Sequence, residues 1–163
     1  MLLHLPSLPT IFLDIAIWMI IHMGVSYLMT HIRLSSFDNE LWLYKQRKWE
    51  KDGKIYVRIF RLKKWKKRLP DGAALFKKGF QKKHLKGFDD VYIDDFIRET
   101  CRAEFTHWIM LLISPVFFIW NIWWVGIVMI VYAILVNLPC IIIQRYNRIR
   151  LKRVYSRLTS LSV

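Results

Sequence analysis

Residues 105–143 read FTHWIMLLISPVFFIWNIWWVGIVMIVYAILVNLPCIII, a block whose only acidic or basic side chain is His107. Crossing the hydrocarbon core of a bilayer, roughly 30 Å thick, takes about 20 apolar residues in a helix. Thirty-nine residues are too many for one crossing and suit two, folded back as a hairpin. The turn belongs near Trp120-Asn121-Ile122-Trp123-Trp124, because indoles favour the membrane–water interface. Spans at 105–120 and 122–143 result. Ser114-Pro115 should kink the first arm, since proline has no backbone N–H to give the helix.

Toward the N-terminus, Ile11 to Ile32 forms a third apolar run of spanning length. No Lys or Arg precedes it, so it lacks the positive flank of a secretory signal and reads as a retained helix. Asp14 and His22 lie two turns apart on it, close to one face; helix-packing hydrogen bonds are their expected use, with a proton relay as the alternative.

Between the first run and the hairpin, Arg33 to Glu104 holds 20 of the 26 Lys and Arg; the other six lie between Arg145 and Arg157. Positive charge beside membrane segments is retained in the cytoplasm. The expected protein is therefore an all-α integral membrane protein of the bacterial cytoplasmic membrane. It has three transmembrane helices, one plus a hairpin, with the N-terminus outside and the C-terminus inside. Segments 11–32, 33–104, 105–120, 122–143 and 144–163 form a single membrane-integral domain. A net charge of +14 alongside 55% hydrophobic residues fits this segregation and argues against a small soluble domain. Cys101 and Cys140 are expected to stay reduced, and no Cys/His spacing points to zinc or another metal.

The basic segment interleaves cations with Trp42, Tyr44, Trp49, Tyr56, Phe60 and Trp65, as expected of an amphipathic cytoplasmic region lying on headgroups. Nucleic acid would accept the same pattern, but a neighbouring membrane already accounts for it, so no nucleic-acid partner is expected. Leu69-Pro70-Asp71-Gly72 reads as a tight turn, and the acidic residues from Asp90 to Asp95 suit a helix N-terminus.

Two polar stripes converge on the inner end of the hairpin. At helical spacing Thr100, Glu104, His107 and Leu111 share a face, and Glu104 can reach His107 three residues on. On the other arm Asn137, Ile141, Gln144 and Arg148 share a face. If the stripes meet, they form a polar cleft at the inner interface. Ionisable groups this close to hydrocarbon are functional candidates.

These residues carry a resemblance. Trp65-Lys66, Asp71-Gly72, His84-Leu85, Glu99-Thr100, Arg102-Ala103-Glu104, His107-Trp108, Tyr132-Ala133, Asn137, Pro139, Gln144-Arg145-Tyr146-Asn147-Arg148 and Arg150-Leu151 resemble the glycosyl-4,4'-diaponeurosporenoate acyltransferase family of staphyloxanthin-type carotenoid synthesis. The resemblance runs from about Lys45 to Lys152. It implies transfer of a fatty acyl group to a sugar hydroxyl of a glycosylated carotenoid or related glycolipid, at the membrane. Acyl-CoA or an acyl carrier protein would be the donor, and no cofactor is implied.

The chemistry needs a base and oxyanion donors. His107 is the expected base with Glu104 fixing its tautomer. Arg102, Arg145 and Arg148 are candidates for gripping phosphate or the oxyanion; Asn137, Gln144, Asn147 and Asp71 complete the candidate substrate contacts. His84 and Asp89 match the H-x4-D pattern of glycerol-phosphate acyltransferases, but the chain lacks the α/β alternation of those enzymes. Glu104 and His107 are half of a di-iron set with no second half. The rival reading is a non-catalytic scaffold of a lipid-synthesis pathway.

Overall fold

A computed structural model describes residues 7–62 and 90–161, and its side chains over 8–62 and 92–157. All regular structure among the described residues is helical: α1 (Ser7–His31), α2 (Lys54–Arg58), α3 (Asp90–Ile113) and α4 (Trp123–Leu161), with 3-10 turns at Leu34–Ser36, Lys48–Gly53 and Ser114–Ile119. Three helical stretches, Leu8–His31, Tyr92–Ile119 and Trp123–Arg157, are long and apolar enough to cross a membrane. The contacts sort into two compact units: residues 1–31 with 105–141, and residues 32–104 with 142–163.

In the first unit, α1 is apolar on every side. Only Asp14, Trp18, Ile21 and Val25, at i, i+4, i+7 and i+11, are buried against protein. Leu8, Phe12, Ile15, Met19, Ile20 and Met23 stay exposed, as a helix bathed in lipid requires. The buried stripe packs with Met110, Phe117, Trp120 and Ala133. Pro115 does more than kink the first arm: the α-helix stops at Ile113 and tightens into the Ser114–Ile119 turn, with the Ser114 hydroxyl bonded to the Leu111 carbonyl at 2.7 Å. The chain then reverses over Trp120-Asn121-Ile122. Asp14 seats this reversal. One carboxylate oxygen accepts both the Trp120 indole N–H and the Asn121 amide, each at 2.8 Å. Gly126 lets the Phe118 ring close on α4, since a Cβ there would stand 2.5 Å from the ring.

In the second unit, α3 buries Ile93, Phe96, Ile97, Thr100, Cys101 and Glu104, a continuous 3.6-residue stripe. Ile93, Phe96 and Ile97 pack with Leu151 of α4. Tyr56 and Leu62 pack with Ile142, Ile143, Tyr146 and Ile149. Three successive residues, Lys51, Asp52 and Gly53, take left-handed backbone angles (φ 45, 54 and 80°) before α2. A Cβ on Gly53 would stand 3.3 Å from the Tyr146 ring, so this corner needs glycine for both conformation and space.

Candidate active site

In the first unit, α3 carries His107 and α4 carries Asn137, thirty residues apart in sequence. The imidazole Nδ1 lies 2.9 Å from the Asn137 side-chain oxygen. Asn137 is fully buried, and its amide nitrogen donates to the Ala133 carbonyl at 2.9 Å, one turn back on the same helix. Only an N–H can make that second bond, which fixes which end of the amide faces the ring. Asn137 therefore offers His107 an acceptor, and Nδ1 carries a proton. In the neutral form of a ring held this way, Nε2 is the basic nitrogen.

In the second unit two buried carboxylates share two guanidiniums. Glu104, fully buried, accepts from Arg145 Nη1 at 2.8 Å and from Arg148 Nη2. Glu50, also fully buried, accepts from Arg145 Nε at 3.0 Å and Nη2 at 3.3 Å, from the Tyr56 hydroxyl and from the Arg47 backbone N–H. Arg145 further donates to the carbonyls of Leu43 (3.0 Å) and Lys45 (3.2 Å). Its five N–H groups thus meet five acceptors, which a lysine could not do. Arg148 also approaches Thr100 Oγ1 and Cys101 Sγ, with its guanidinium over the Tyr44 ring. The four charges cancel, and dense hydrogen bonding offsets the cost of removing them from water.

Titration follows from this packing. Burial would raise the Glu50 carboxyl, but hydrogen bonds from Arg145, Tyr56 and Arg47 together hold it below its ordinary value. Burial, with the nearby Cys101 and Glu104, pushes Tyr44 up to about 12. A cavity of about 10 Å³ beside the network, lined by Tyr44, Gln46, Glu50, Arg145, Arg148, Ile149 and Lys152, has room for about one water.

The structure thus joins His107 to Asn137, and Glu104 to Arg145 and Arg148. Glu104, expected to orient the imidazole, is held by the two arginines, and Asn137 stands at Nδ1. Arg102 pairs with Glu99 at 2.7 Å, both buried. Gln144 and Asn147 are half-buried on α4. Asp71, His84 and Asp89 lie outside the described residues. No cluster of three or more metal-ligating side chains occurs among the described residues. Glu50 was missed by sequence reasoning: it is one carboxylate in a basic run, and its partner stands 95 residues away.

The family model described as glycosyl-4,4'-diaponeurosporenoate acyltransferase matches residues 40–157. The chain belongs to the glycosyl-4,4'-diaponeurosporenoate acyltransferase family. It is 34% identical over 137 residues to proteins of that name from Staphylococcus aureus strains N315 and USA300, covering 84% of this chain and 82% of theirs. No solved structure matches. Membership makes the chain an acyltransferase. Both constellations, His107 with Asn137 and Glu50–Glu104–Arg145–Arg148, fall inside the segment shared with the glycosyl-4,4'-diaponeurosporenoate acyltransferase family, whereas α1 precedes it.

Proposed function

We propose that the chain is a membrane-embedded O-acyltransferase that moves a fatty acyl group from acyl-CoA or an acyl carrier protein to a sugar hydroxyl of a glycosylated carotenoid or related glycolipid. The observation that supports this most is the His107–Asn137 pair, a base with its tautomer set, on helices of spanning length. His107 Nε2 takes the proton of the sugar hydroxyl. The oxygen attacks the thioester carbonyl carbon, the C–S bond breaks, and the imidazolium returns its proton to the leaving thiolate. Arg102, Gln144, Asn147 and Asp71 are proposed contacts to polar groups of the two substrates. Glu104, Arg145 and Arg148 are proposed to hold the second unit in shape beside any contact they make to substrate. The chain is oriented with its N-terminus outside and its basic segment on the cytoplasmic leaflet.

The test is acyl transfer by the full chain in nanodiscs, with labelled acyl-CoA or acyl carrier protein and a panel of glycolipids, products read by mass spectrometry. His107→Ala should remain membrane-inserted and lose acylated product by about 10²-fold or more. Normal product from that variant removes His107 from the mechanism.

A further inference from the structure

The first unit contains a second imidazole with a ring nitrogen that neither its packing nor the proposed chemistry uses. His22 sits well inside α1, within a stretch of apolar residues. Its ring lies against Trp18, with centroids 5.3 Å apart, and its Nε2 is buried without a hydrogen-bond partner among the described residues. Asp14, two turns earlier, does make packing hydrogen bonds, to Trp120 and Asn121. A buried nitrogen left unpaired costs free energy, and within a spanning segment a ligand oxygen would remove that cost.

The level of His22 follows from its own unit. Asp14 meets Trp120 and Asn121, and one turn later Trp18 meets Phe117, Met129 and Tyr132. Residue numbers thus rise together on α1 and α4, so these helices run parallel there. At 1.5 Å per residue His22 lies about 6 Å beyond Trp18, while Asn137 lies about 7.5 Å beyond Tyr132 and about 12 Å beyond Met129. Along the bundle, His22 therefore stands within about 6 Å of the level of Asn137, on the Trp18 side.

We infer that His22 is a substrate-binding residue whose Nε2 hydrogen-bonds an oxygen of a lipid substrate, at a level along the bundle within about 6 Å of the Asn137 that holds His107. A carbonyl or hydroxyl oxygen satisfies it, since a neutral imidazole presents Nε2 as donor or acceptor according to tautomer. Two substrates carry such an oxygen: the acyl donor at its thioester, and the glycolipid acceptor at its ester or hydroxyl groups. The inference rests on the acyl-transfer reading for the identity of these ligands.

His22→Phe keeps the ring against Trp18 and removes the nitrogen; His22→Gln restores a polar end. Each full-length variant in nanodiscs is compared with the natural chain by thermal unfolding, without ligand and with acyl-CoA or glycolipid, and by KM for each substrate. The expected result is that His22→Phe unfolds at the same or a higher temperature without ligand. It should lose the stabilisation given by one of the two ligands and raise the KM for that ligand about tenfold, and His22→Gln should recover part of both. A shift confined to acyl-CoA assigns the thioester oxygen, and one confined to the glycolipid assigns the acceptor. Unchanged ligand stabilisation in His22→Phe overturns the inference, as does a lower unfolding temperature without ligand that His22→Gln repairs, which would make His22 a packing residue. Failure of the acyl-transfer reading shows separately, as absence of product from the natural chain whatever the ligand stabilisation.

Discussion

Asn137 is the residue on which the reading of His107 turns. Replacing it by Ala removes the acceptor at Nδ1 and frees the ring to change tautomer and rotate. We expect kcat to fall about 10–100-fold in Asn137→Ala with little change in KM, measured by product formation under saturating substrates. Asn137→Asp keeps an acceptor at Nδ1 but sets a carboxylate oxygen against the Ala133 carbonyl, so it should not restore the natural rate. Glu50 carries a second expectation. Its folded pKa lies below its ordinary 4.5, so its ionised form adds stability that is present in full above that value. This stability is lost as the pH falls through the folded pKa. Tryptophan fluorescence followed from pH 7 to pH 3 should therefore show an acid transition in the natural chain that is weaker in Glu50→Gln. The variant should also be less stable at pH 7 by about 3 kcal/mol, because Arg145 is left buried with half its charge unmatched.

At the scale of the elements, the hairpin depends on Gly126 and Phe118 being matched. Gly126→Ala should destabilise the protein by about 1–3 kcal/mol through the displaced ring, and Phe118→Ala should cancel most of that in a double-mutant cycle. Additive effects would show that the ring has room to move. How far the elements were legible follows from what sets each one. The three spanning helices and the reversal at Trp120-Asn121-Ile122 could be read from sequence because apolar length, Pro115 and the clustered indoles are local properties. The partner of His107 was not: helical spacing offered Glu104, three residues away, while the bond to Asn137 joins two helices thirty residues apart. Both residues carried a signal as members of two stripes expected to face each other, but which side chain would stand at Nδ1 did not. Glu50 carried no signal at all, since nothing in the run Lys48-Trp49-Glu50-Lys51 announces a carboxylate that must lie buried under a distant arginine.

For the whole molecule, the segment between α1 and α3 leaves Trp42 75% and Trp49 54% exposed, with Arg47 held 4.5 Å over the Trp42 ring. We expect both indoles to be quenched by brominated lipids in nanodiscs, more strongly with anionic than zwitterionic headgroups, and less so at high salt. Trp42→Ala together with Trp49→Ala should weaken dependence on anionic lipid while leaving the chain membrane-inserted. The Asp14 clasp bears on a different question, the minimal working chain. The family segment opens at residue 40, so trimming to it would look harmless, yet the carboxylate that quenches the indole and amide of the hairpin loop sits far upstream. A shortened version would have to thread two bare donors into place with no counterpart. α1 thus supplies the carboxylate that seats the hairpin's reversal, and adding it as a separate peptide should rescue the trimmed protein only if Asp14 is present.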